Sequence, residues 1–72
     1  MNPQKAAYIV SIGLIGKQDN IALNMMIIDG LLKGNSTTFR ELANSLIYKA
    51  SKNKELAEAI SVLTNYYCEL EK

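Results

Sequence analysis

The side chains of this chain that can do chemistry are few and poorly grouped. Its 72 residues include no histidine and one cysteine. There is therefore no base that titrates near neutral pH, no partner thiol for an internal disulfide and no zinc-type ligand cluster. Glu55 and Glu58 stand three apart, and Glu69 and Glu71 fall in the final residues; carboxylates so spaced on a helix usually serve to solubilise a wet face. Cys68 follows Tyr67, with Lys72 too far along to create an electropositive setting. A thiol without an adjacent base or cation behaves as a small apolar side chain. The chain carries no glycine-rich phosphate loop, metal-ligand spacing or nucleophile elbow. Catalysis, a cofactor and a metal are all unexpected on these grounds.

Binding is a better match to the residue types. Met25 and Met26 offer an adaptable apolar surface, and Tyr66 with Tyr67 supplies the amphipathic rings enriched at interfaces. Together with Tyr8, Ile9 and Ile12 they form the candidate dimer or partner interface; the competing reading makes the methionines and tyrosines ordinary packing residues at helical spacing. A second set, Arg40, Lys49, Lys52 and Lys54, comprises the candidate nucleic-acid contacts, because a helix, a turn and a helix from Thr38 onward would have the order of a helix-turn-helix. Against it, the joint lacks the customary glycine, and Glu55 and Glu58 would face phosphates badly.

These residues must be positioned by elements that the sequence marks at several points. Asn2 and Pro3 are a cap and a first-turn residue, which favours a helix from Pro3 to a stop at Gly16. The rival is a short N-terminal strand over Tyr8 to Ile15, a run rich in β-branched residues; followed by helices, it would point to a ribbon-helix-helix dimer. Asp19 can cap a second helix from Asn20 to Lys33, closed by Gly34. Its stripe Ile21, Met25, Ile28 and Leu32 is widened by further apolar residues, leaving Asn20, Asn24, Asp29 and Lys33 for water. Asn35 to Thr37 read as a loop, and Thr38 with Glu41 as a capping box that starts a third helix. The apolar faces Phe39, Leu42, Ala43, Leu46, Ile47, Ala50 and then Leu56, Ala59, Ile60, Leu63, Tyr66, Tyr67, Leu70 follow helical spacing. An unbroken heptad register from Phe39 to Leu70 makes a single long helix an alternative. A break near Asn53 is favoured, because Lys49 and Asn53 are poor seam residues.

The fold class expected is all-α, a small bundle of three to four short helices over residues 1–72 as one domain. Hydrophobic residues make up 49% of the chain and charges 21%, the balance of a folded protein. A net charge of +1 attracts no partner class by itself. A domain of this size buries only about 60% of its unfolded surface, and its first segment is apolar almost all round. A homodimer is the expected remedy, with like segments meeting across a two-fold axis where Ala7, Ser11 and Gly13 permit close approach. The functional expectation is a non-catalytic protein-binding module: a regulator, inhibitor or assembly factor. A small dimeric DNA-binding regulator is the alternative. Neither apolar run, Ala6 to Ile15 or Ile21 to Leu32, reaches the roughly 20 residues that span a bilayer, and no cleavage site follows the first, so a cytoplasmic protein without membrane association is expected.

Overall fold

A computed structural model describes residues 1–16 and 21–71. Within them the chain forms four helices and no strand: α1 Pro3–Ile15, α2 Ile21–Lys33, α3 Ser36–Ala50 and α4 Lys54–Leu70. The expected cap Asp19 and the expected first residue of the second helix, Asn20, lie outside the described residues.

α1 begins as its sequence predicts. The Asn2 side chain accepts a hydrogen bond of 2.7 Å from the Lys5 amide, and Pro3 takes the first helical position, where its missing N–H is not needed. At the other end the Gly16 amide donates to the Ile12 carbonyl while Gly16 itself adopts φ 75°, ψ 177°, a backbone region essentially confined to glycine. The β-branched run from Tyr8 to Ile15 is thus helical, and the strand alternative, with the ribbon-helix-helix reading that depended on it, is overturned. The physical reason is burial on several sides. Ala6, Ala7, Ile9, Val10 and Ser11 are all buried, which explains why the segment is apolar nearly all round. The Ser11 hydroxyl, enclosed with them, donates to the Tyr8 carbonyl one turn back.

The third helix starts earlier than the Thr38–Glu41 capping box predicts. Asn35 is the cap, its side chain accepting from the Thr38 amide at 2.9 Å. Ser36, the first helical residue, donates through both its amide (3.0 Å) and its hydroxyl (2.8 Å) to the Glu71 carboxylate. That clasp satisfies an amide the helix cannot satisfy itself, and it joins the start of α3 to the residue after α4, so the two helices run antiparallel. Their separation is equally local. The Asn53 side chain accepts from the amides of Glu55 and Leu56 at 3.0 and 3.2 Å, starting α4 afresh after a turn at Ser51 and Lys52. The long-helix alternative is therefore overturned, and the heptad register across residues 39–70 belongs to two helices folded back on each other.

α1 rests against α4 on one side and α2 on the other, and α3 packs mainly on α4. The order across the molecule is α2, α1, α4, α3. Val10, Leu46, Leu56, Leu63 and Tyr67 anchor the core. The two flanking helices each have one main neighbour, which decides what remains uncovered. On α2 only Leu31 is fully buried, while Ile21 and Met26 are each 71% exposed and Met25 63%. The predicted stripe is thus split, since Ile28 and Leu32 pack on the core and Ile21 and Met25 do not. Asn24, expected to face water, is half-buried instead, and its side-chain oxygen has no hydrogen-bond partner among the described residues.

Close approach explains one glycine. A Cβ on Gly34 would lie 3.2 Å from the Gly30 carbonyl oxygen and 3.6 Å from the Tyr67 hydroxyl. Gly30 is the opposite case, mid-helix with nothing within 4 Å of an added Cβ. Gly30→Ala is therefore expected to raise the unfolding free energy by about 0.5–1 kcal/mol, read as a higher urea midpoint with an unchanged slope.

Candidate functional site

A broad concavity lies between α3 and α4, and three alanines line it. Ala43 and Ala50 on α3 and Ala57 on α4 stand where larger side chains would close the helix pair, leaving an open trough of about 700 Å³. Phe39 and Tyr67 form its buried floor, their ring centroids 5.1 Å apart, and Ile60 lines it from α4. Ile47 also lines it yet is 60% exposed, so this member of the predicted α3 face stands at the rim. Cys68, expected to be a small buried side chain, is exposed and borders the same trough. Sequence spacing alone could not reveal the site, because alanine on an apolar face reads as core and not as the absence of something.

The trough is about as long as one helix. Its lining runs from Ser36 to Ser51 along one wall and from Ala57 to Glu71 along the other, about 21–22 Å at 1.5 Å per residue. Dividing the volume by that length leaves a cross-section of about 33 Å², against about 80–110 Å² for a whole helix with side chains. The groove therefore admits about a third of a helix, the width of an amphipathic apolar face.

Charge is concentrated at one end. Glu71, held by Ser36, has its carboxyl lowered from the ordinary value, first by the Ser36 amide and then by the Ser36 hydroxyl; desolvation opposes them, and the Arg40 guanidinium adds the least of the lowering effects. A carboxylate lowered in the folded state stabilises the fold above its unfolded value, and that contribution fades as pH falls through the folded one. The clasp between α3 and α4 should thus loosen only in acid below the usual carboxylate range. Ser36→Ala is expected to move the Glu71 midpoint part-way back up in an NMR titration of the side-chain carboxyl.

The structure scatters the sequence-predicted interface set. Met25 and Met26 are exposed on α2 and Tyr8 is exposed on α1, whereas Ile9 lies in the core and Tyr67, also buried, presents its ring only as the floor of the α3–α4 trough. Tyr8, Ile9 and Ile12 border only a dimple of about 130 Å³. Tyr66 and Tyr67 are turned to internal use, and their hydroxyls donate to the carbonyls of Leu32 (2.9 Å) and Leu31 at the end of α2. Those are carbonyls that a helix end leaves without an i+4 amide, although the Leu31 carbonyl also accepts from the Gly34 amide at 3.4 Å. Burial pushes the Tyr67 phenol pKa up, reinforced by Tyr66. The α1 contact expected to form a dimer seam is also occupied, since Ala7 and Ser11 are fully enclosed and a Cβ on Gly13 would meet Leu56 at 3.2 Å.

The basic set is likewise dispersed. The Lys49 ammonium donates to the Gly13 carbonyl (2.8 Å), where a cation complements the carboxyl end of α1. Lys52 donates to the Tyr48 hydroxyl (2.7 Å) and lies 4.4 Å from its ring centroid. Lys54 opens α4, whereas Arg40 sits near the far end of α3. Among the described residues no three His, Cys, Asp or Glu side chains come together as a metal site, and no helix is long and apolar enough to cross a membrane. No family model, curated protein or solved structure matches this chain.

Proposed function

We propose that this protein is a non-catalytic binding module whose α3–α4 groove receives an amphipathic helix of a protein partner. The observation that carries this reading is the groove itself: a trough of about 700 Å³ with an apolar floor, one helix long and a third of a helix wide, with its charges at one end. The shape of the whole molecule supports it. The radius of gyration, 11.3 Å, equals the roughly 11 Å of a compact 72-residue chain. The accessible surface of 4960 Å² nevertheless exceeds the about 4,450 Å² typical of 8.0 kDa. An open groove adds surface of this kind. A partner helix would fill the trough with side chains at i, i+3, i+4 and i+7, as helix-in-groove recognition requires. Regulation, inhibition or assembly by such docking needs no catalytic group.

The test is selection of peptides of about 14 residues, the number that spans the groove at helical rise, displayed on phage against the protein and counter-selected on Ala57→Trp. Ala57 is exposed, so the indole should leave stability within about 0.5 kcal/mol while blocking the trough. Enriched peptides are expected to carry apolar residues at helical spacing and to lose at least about tenfold in affinity on the variant, the loss of a desolvated anchor. Peptides without that spacing, or binding equally to both proteins, would refute the reading.

A further inference from the structure

The same chain presents a helix of the kind the groove fits. α2 is 13 residues long, about 20 Å at helical rise, against the 21–22 Å of groove length. Its outward side bears Ile21, Met25 and Met26, which a monomer leaves largely in water, followed at one end by Asp29 and Lys33, which among the described residues pair with each other at 3.2 Å and are both well exposed. The charges of the groove also sit at one end, with Arg40 one helical turn from the Ser36–Glu71 clasp. From these matches, and resting on the groove as a helix receptor, we infer that the groove is occupied by α2 of a second copy of this chain.

Charge order sets the direction. If the partner's α2 runs antiparallel to α3, its Asp29 reaches Arg40, and its Lys33, one turn further along, reaches Glu71. Ile21, eight residues and about 12 Å before Asp29, then lies between Ile47 and Ala50, and Met25 and Met26 lie over Asn44 and Ala43. The opposite direction places neither charge pair. Among the described residues Arg40 makes no ion pair within 4 Å, so its guanidinium remains available to a carboxylate.

Area sets the stoichiometry. The third of a helix that enters carries about two-fifths of its lateral surface, about 250 Å² for a helix this long and about 10 Å across, so one insertion removes about 500 Å² counting both sides, below the range of stable interfaces. Two reciprocal insertions about a two-fold axis remove about 1,000 Å², the least expected of a specific interface. A closed dimer exchanging α2 helices is therefore the assembly, rather than a head-to-tail chain.

A complementary-charge experiment tests it by sedimentation equilibrium. Wild type is expected to sediment as a dimer at tens of micromolar. Asp29→Lys alone and Arg40→Asp alone each place like charges in both insertions and should weaken association at least about tenfold. An equimolar mixture of the two should recover the wild-type dimer, because in the mixed pair one insertion is unchanged and the other restores opposite charges. Both side chains are exposed, and circular dichroism should show each variant folded. A wild-type monomer at about 100 μM, single variants that dimerise as tightly as wild type, a mixture that stays monomeric, or a ladder of species beyond the dimer would each overturn the exchange. If any of these occurs while selected helical peptides still require an open Ala57 wall, only self-association fails; if the peptides fail as well, the receptor reading falls with it.

Discussion

Tyr67→Ala is expected to lower the unfolding free energy by about 3–5 kcal/mol, and Tyr67→Phe by about 1–2 kcal/mol. The ring is 1% exposed, touches Phe39 and Tyr66, and ties α3 to α4. Its hydroxyl does something separable, donating to the Leu31 carbonyl at the end of α2. Removing only the hydroxyl leaves that carbonyl with the long 3.4 Å bond from the Gly34 amide alone, whereas removing the ring also opens a cavity. A chain of this length has a total stability of roughly 4–11 kcal/mol, so the alanine variant should lose a large share of it. Urea titrations with an unchanged slope measure both losses. The phenol also sets a pH dependence. Because its pKa is raised in the folded state, its contribution is intact below the ordinary tyrosine value near 10 and is lost as pH rises through the folded value. Wild type should therefore lose stability above about pH 10 more steeply than Tyr67→Phe. Equal stability of Tyr67→Phe and wild type at neutral pH would show that the hydroxyl does not hold the end of α2.

Leu63→Ala and Ile47→Ala are expected to differ by about 2 kcal/mol or more, although both residues occupy apolar stripes at helical spacing. Leu63 is fully buried in the middle of α4, so its truncation should cost about 2–5 kcal/mol, the loss of transfer free energy plus an unfilled cavity. Ile47 stands 60% exposed at the groove rim, and its truncation should change stability by no more than about 0.5 kcal/mol. The pair separates packing from docking. Ile47→Ala should weaken helix binding in the groove at least about fivefold while folding is preserved, and fluorescence of a label on the exposed Cys68 can follow that binding. A stability loss for Ile47→Ala as large as that for Leu63→Ala would mean that the groove is closed in solution.

What was legible in this sequence was local. Asn2, Pro3 and Gly16 bound α1 because capping and backbone freedom act within a few residues, and the same is true of Asn53 at the start of α4. The all-α class followed from helical spacing of apolar residues. Local signals still misplaced the start of α3, since the amide that permits the earlier start is satisfied by Glu71, 35 residues away. Apolar pattern states that a face avoids water, not which neighbour covers it. Only the tertiary order α2, α1, α4, α3 decided that α1 is enclosed, that Met25 and Met26 are left in water, and that Tyr66 and Tyr67 turn inward to the end of α2. The groove was hidden for the same reason: it is a void left where Ala43, Ala50 and Ala57 come together, and a void belongs to the distance between helices, which no single stretch of sequence contains.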